Sequence, residues 1–267
     1  MKQSLLVPGA IVVAGLIIAG AVMFINKNPN QGSTDTTKTT TSEPKDINYK
    51  PITSADHIFG NPDADVMILE YSDTECPFCK DFDVTLQSIM DQYGKDGKVA
   101  WAYRHFPITQ LHPKAPKEAE AVECAGQLGG NDIFWKYLST IYKITPSNNG
   151  LDAAQLPKVA GDLGLDVNAF NQCLSSGKNA QIVQDNYNDA VAAGGRGTPF
   201  SILISKTELS SDAVTQLNAM NQSLLQRMQA GSPDPIVIST DKKSVSISGA
   251  FPLQMIQQIL DLMLAAK

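Results

Sequence analysis

An α/β fold is predicted for this 267-residue chain by three observations. An apolar run at 66–71 leads directly into a helical pattern and then into an aromatic-rich strand at 99–106, which makes a β-α-β opening. A long block of helical pattern fills about 108–195. Short strands and a last helix follow, so the block interrupts one sheet and is an insertion in a single domain, not a domain of its own.

Each element has a local reason. The strand at 66–71 is apolar almost throughout, as a strand covered on both faces must be. The helix at 76–93 opens in Cys76-Pro77-Phe78-Cys79 and ends near Gly94. Pro77 suits its first turn, where a missing N–H leaves no bond unmade. Strand 99–106 is rich in Val, Trp, Tyr and Phe. Ala, Glu and Lys make 114–128 helical. Phe134, Trp135, Leu138 and Ile141 share one side of a helix at 133–142, and shorter helices are expected at 152–163 and 167–175. A helix at 180–193 stops at Gly194-Gly195. Strands are expected at 200–204, 236–239 and 245–248, and a helix at 253–266 follows Pro252. Between the first two of these strands, 206–235 carries an amphipathic helix at 213–228 that could cover a sheet edge, meet a partner or form a dimer face. The aromatic cluster of Trp101, Tyr103, Phe134 and Trp135 is expected in the core. No internal repeat is visible.

The amino-terminal end has a different character. Residues 4–25 form a 22-residue stretch without a charge, long enough to cross a bilayer core. Ala19-Gly20-Ala21 resembles a signal-peptide cleavage site, but Val22, Met23, Phe24 and Ile25 continue the apolar run past it. Residues 1–25 are therefore expected to be an uncleaved anchor, with cleavage and secretion as the alternative. Residues 26–50, rich in Ser and Thr, bury too little to repay ordering and are expected to be a flexible linker. Residues 51–267 form the folded domain. The net charge of −6 carries no basic blocks, which argues against a nucleic-acid partner.

Cys76 and Cys79 carry the chemistry. A thiol at a helix N-terminus faces unpaired backbone N–H groups and the positive end of the dipole, both of which favour thiolate. A CxxC is also half of a zinc site, but such a site needs a second pair at ligand spacing. Cys124 and Cys173 stand alone and the three histidines form no HxxxH, so no metal and no cofactor is expected. His57, His105 and His112 are expected to be structural or to lie at the rim. Glu70, six residues before Cys76, is a charge in an otherwise apolar strand. It is either a buried acid with a raised pKa or a surface acid at an edge.

Taken in order, these pieces resemble the DsbA-like thiol–disulfide oxidoreductases. The likeness is carried by the run GNPDADVMILEYSDTECPFC at 60–79, by Arg104-His105-Phe106-Pro107 with His112-Pro113, by Gly197-Thr198-Pro199 before a strand, and by Gly249-Ala250-Phe251-Pro252 before the last helix. It covers about 58–205 and 236–267. The resemblance implies a thioredoxin fold, a central mixed sheet flanked by helices with an inserted helical block, here preceded by a transmembrane helix. It implies Cys76 as the nucleophile and the more exposed sulfur, and Cys79 as the buried resolving thiol. Glu70 then moves protons to or from Cys79. Pro77 and Phe78 tune the thiolate; many strongly oxidising members have His where Phe78 stands, so a less oxidising potential is expected. Pro199 would be cis beside the dithiol, with the Thr198 backbone pairing an extended substrate; the alternative is an ordinary trans proline opening a strand. The family pattern needs only a hairpin where 206–235 intervenes.

In an oxidising compartment four cysteines read as two pairs, so Cys124 and Cys173 are expected to form a structural disulfide, with two free buried thiols as the alternative. The expected activity is disulfide formation in exported proteins, by a catalytic domain held outside the cytoplasm. Reduced exported proteins are the expected substrates, and the family implies a quinone-linked membrane reoxidant. A reductase or isomerase using the same dithiol, a binding module without thiol exchange, and a reversed topology are the rivals.

Overall fold

The computed structural model describes residues 45–265. The expected anchor at 1–25 and most of the linker lie outside the described residues. Among the described residues no helix is long and apolar enough to cross a membrane.

Six strands form one mixed sheet in the order β1-β3-β2-β4-β6-β5. The strands are β1 (His57–Phe59), β2 (Val66–Ser72), β3 (Val99–His105), β4 (Phe200–Ser205), β5 (Ile236–Ile238) and β6 (Ser244–Ser248). Strands β2 and β3 are parallel, as their crossover demands, and every other pair is antiparallel. The crossover is α1 (Pro77–Ile89), which runs into a π-helical turn, Met90–Gly94. The insertion between β3 and β4 holds α2 (Ala115–Gly129), α3 (Asn131–Ile144), α4 (Gln155–Asp162), α5 (Val167–Ser176) and α6 (Ala180–Ala192). Asp166 caps α5 by accepting from the amides of Asn168 and Ala169, and left-handed Gly177 ends it. The last helices are α7 (Ser211–Leu225), capped by Ser210, and α8 (Leu253–Leu264).

The alternation of β2 and β3 sorts their side chains onto two faces. The first takes Val66, Ile68, Glu70, Trp101 and Tyr103 and packs under α1, α8 and the insertion helices; its core includes Phe82, Leu86, Phe134, Tyr142 and Ile259. The second takes Leu69, Tyr71, Ala102, Phe200 and Ile202 and packs against Ala190 and Ala193 of the α6 region. The aromatic cluster lies in the first core, with Trp101 and Trp135 ring centroids 4.6 Å apart.

The structure differs from the sequence reading at two places and decides a third. Strand β1 was not anticipated, because three residues carry no period. The linker boundary at 50 is too late: Ile47, Tyr49 and Ile52 pack against the second face, and the Lys50 amide donates to Asp189 at 2.7 Å. Apolar residues spaced through a polar stretch conceal this strap. For the helix within 206–235, which the sequence leaves open between three roles, the structure answers with the first: it packs on edge strand β5 and buries Leu209, Ala213 and Leu217 in the first core. Its Asn221 accepts from the Ile236 amide, which ties α7 to the start of β5.

Candidate active site

Cys76 is the residue before α1 and holds its N-cap position; the expected helix begins one residue later, at Pro77. The carbonyl of Cys76 accepts the amides of Cys79 and Lys80, both at 3.1 Å, so the dipeptide between the cysteines is wound into the first turn. Both thiols are free. Cys76 is 4% exposed and Cys79 is fully buried, the order of exposure expected from their places in the turn. Phe78, by contrast, is 63% exposed and stands out beside the dithiol.

The two sulfurs differ electrostatically. The Cys76 thiol is lowered to about 6, first by a hydrogen bond from Cys79, then against the opposing effect of burial, by the Thr198 side chain and the backbone N–H groups of Cys79 and Phe78. Cys79 is pushed up by burial, by its bond to Cys76 and by the nearby Glu70. The pair therefore holds one ready thiolate and one thiol that keeps its proton.

Glu70 lies on the first face, fully buried, which removes the surface-acid alternative. The indole Nε1–H of Trp101 donates to its Oε2 at 3.0 Å, and its Oε1 has no partner. Burial is the main reason its pKa rises to about 8; the nearby Ser72 hydroxyl and the bond from Trp101 oppose this, and the charges of Asp83 and Cys76 reinforce it. Ser201 faces Glu70 in the β2–β4 register, and its hydroxyl also lacks a partner. Two buried oxygens without partners thus share one register in an otherwise apolar core.

Three residues near Glu70 lie beyond the sequence reading. Ser72 bonds the Tyr142 hydroxyl at 2.8 Å, which bonds Tyr103 at 3.2 Å, so a chain of hydroxyls leads toward Glu70 and Cys79. Asp83, one turn past Cys79, is buried and its pKa rises to about 6, chiefly by burial, against the bond from Gln87 at 2.6 Å and the charge of Lys143. The i+4 spacing from Cys79 is the signal that would have found it.

The Thr198–Pro199 peptide is cis. The Thr198 carbonyl lies 3.5 Å from the Cys76 sulfur, and the Pro199 carbonyl accepts the Gly249 amide at 2.9 Å. Beside this loop runs a groove of about 530 Å³ walled by Arg196, Thr198, Pro199, Ile47 and Asp234. Cys124 and Cys173 are joined as a disulfide between α2 and α5. The histidines are internal ties: His105 and His57 both meet Glu123, and His112 meets Asp73 at 2.8 Å. Among the described residues no group of three or more His, Cys, Asp or Glu is placed to hold a metal.

The match to a family model described as Thioredoxin, over residues 53–220, decides the family. The chain belongs to it. Solved structures place the chain's fold with DsbA-like proteins. Wolbachia pipientis α-DsbA1 aligns at TM-score 0.58 and 19% identity, covering 80% of this chain and 92% of that one. Pseudomonas aeruginosa DsbA2 aligns at 0.55 and 22%, covering 79% and 96%. Oxidised BdbD of Bacillus subtilis aligns at 0.54 and 17%, covering 68% and 99%. A curated relative, the Na(+)/H(+) antiporter NhaA 1 of Mycolicibacterium gilvum, is 32% identical over 146 residues, which are 54% of this chain and 22% of the antiporter. The chain thus spans about a fifth of the curated relatives it matches.

Proposed function

We propose that this chain is a thiol–disulfide oxidoreductase that forms disulfides in reduced exported proteins, held outside the cytoplasm by the apolar segment at 1–25. The observation that carries the reading is the asymmetric dithiol: Cys76 lowered to about 6, Cys79 raised, and a buried carboxyl below them. In the oxidised enzyme a substrate thiolate attacks the Cys76 sulfur and the bond to Cys79 breaks. Cys79 leaves as a thiolate and takes the proton that Glu70 holds when neutral. A second substrate thiolate attacks the substrate sulfur of the mixed disulfide and releases Cys76 as thiolate. The product carries the new disulfide, and the enzyme is left two electrons reduced. A quinone-linked membrane partner would reoxidise it.

A thiolate pKa of about 6 lies between the values of about 7 for thioredoxin and 3.5 for DsbA. A more stable thiolate favours the reduced enzyme, so the potential is expected between about −270 and −120 mV. Phe78 offers the thiolate no side-chain donor, in keeping with that intermediate place.

The deciding experiment is a redox titration of the 45–267 fragment against glutathione, with reoxidation of a reduced, unfolded disulfide protein followed alongside. Catalysed oxidation lost in Cys76→Ser supports the reading. A potential near −270 mV with no oxidation would make the protein a reductase instead, and exchange that survives Cys76→Ser would leave a binding module.

A further inference from the structure

Residues 73–76 carry the chain from the end of β2 to the start of α1. Cys76 occupies the N-cap position but makes no side-chain capping bond, so the start of α1 is not held from within the helix. It is held by Asp73, whose side chain is fully buried. The Asp73 carbonyl accepts the Cys76 amide at 3.1 Å, and its Oδ1 accepts the Glu75 amide at 2.8 Å, which closes a tight turn. Its Oδ2 reaches away from that turn, to the loop that follows β3. There it accepts the Ile108 amide at 2.8 Å and pairs with His112 Nδ1 at 2.8 Å. One carboxyl thus joins the turn that ends in the proposed nucleophile to a loop 35 to 39 residues further on.

None of these bonds touches a sulfur, so their effect on Cys76 runs through the backbone of the turn. On its other side the Cys76 sulfur meets the Thr198 carbonyl at 3.5 Å. It therefore stands between the cis-proline loop and the turn that Asp73 closes. A thiolate at a helix start is held by the free N–H groups of the first turn, and such bonds weaken steeply as distance and angle drift. We propose that Asp73 is a positioning residue: by tying the 73–76 turn to the 106–112 loop, it sets where the Cys76 sulfur stands over the first turn of α1. Phe106 backs the same tie, since its amide donates to the Ser72 carbonyl at 2.7 Å. The inference rests on the proposed redox reading for its use in exchange, and on bonds in the structure for its geometry.

Two plainer roles for the carboxyl predict other outcomes. If it only stabilised the fold, its replacement would lower the melting temperature and leave the thiol alone. If it acted on the thiolate through charge, it would oppose it, and an amide in its place would favour thiolate. Loss of positioning favours thiol. The sign of the change therefore separates the three. Glu70, an acid within electrostatic reach of Cys76, is the same in every variant.

The pH profile of Cys76 alkylation by iodoacetamide tests this, measured on the reduced full chain and read by site-resolved mass spectrometry. Asp73→Asn is expected to move the thiol–thiolate ratio toward thiol by about tenfold, the weight of one weakened bond to a charged group. His112→Ala leaves the carboxyl in place and is expected to move the ratio the same way by less. His112→Asn, whose side-chain N–H can stand in for Nδ1–H, is expected to stay with the wild type. A ratio moved toward thiolate, or an unmoved ratio beside a lowered melting temperature, would overturn the proposal. Should Asp73→Asn fail to fold, the His112 pair decides: the same profile for Ala and Asn overturns it. A wild type that shows this titration but exchanges no disulfide would instead sink the redox reading and leave the positioning result standing.

Discussion

The two faces of the sheet each bury ionisable groups, and the acid under the dithiol is treated unlike those on the far face. On the second face Arg104 donates to Asp56 at 2.7 Å, to Asp189 at 2.6 Å and to the carbonyls of Lys50 and Pro51. The Tyr71 hydroxyl donates to Asp189 as well. Every charge there has an opposite partner. On the first face Glu70 has one indole donor and one oxygen without a partner. The strands alternate, so neighbours Glu70 and Tyr71, or Tyr103 and Arg104, serve different ends. A fully paired buried charge holds structure. An underpaired one keeps a proton that can be given away, and it lies under the dithiol.

Substitutions can sharpen or break this contrast. The largest effect is expected from Cys76→Ser, which removes the proposed nucleophile and should bring thiol exchange to background while leaving the melting temperature nearly unchanged. Next comes Arg104→Leu, which strands the buried Asp189 and the half-buried Asp56. It should cost about 3–5 kcal/mol in denaturant unfolding, with the reduction potential unmoved. If the potential shifts, the second face is not merely structural. Replacing Cys124 and Cys173 together by Ala should cost about 2–4 kcal/mol, again without changing the dithiol.

Glu70→Gln should do the reverse of Arg104→Leu, slowing exchange at pH 7 by up to about a hundredfold while stabilising the fold. The folded pKa of Glu70 is about 8 against 4.5 for the free group. Its contribution is therefore intact below pH 4.5 and is lost as pH rises toward 8, so the gain in Glu70→Gln should grow across that window to about a few kcal/mol. Unfolding at pH 5 and pH 8.5 checks this; a variant equally stabilised at both, or less stable, would break the contrast between the faces.

The sequence makes one face far more legible than the other. Cys76, Cys79 and Pro77 are contiguous, and Glu70 stands out as a charge in an apolar strand, so local pattern reaches them. Arg104 was noticed as part of a motif, but its partners lie 48 and 85 residues away, and no local pattern links such separations. The strap fails for a related reason: Ile47, Tyr49 and Ile52 are ordinary residues until a sheet face is there to receive them. Ser201 became visible through register, which only the folded sheet defines. The role of 206–235 stayed open because an amphipathic helix states that it has a buried side without stating where.

The strap has a mechanical consequence. A pull on the chain at Lys45 first loads a single 3.4 Å bond from its amide to the Ile238 carbonyl at the sheet edge, then the 3.2 Å bond between Tyr49 and Ser244. It next reaches Lys50 and Pro51, where Asp189 and the Arg104 guanidinium grip backbone groups from both sides. The weak bonds peel one at a time, while the clamp must shear as a unit. Tension arriving along the strap is thus borne at Arg104, on the face away from the dithiol, before it can reach β2 or the turn that holds Cys76.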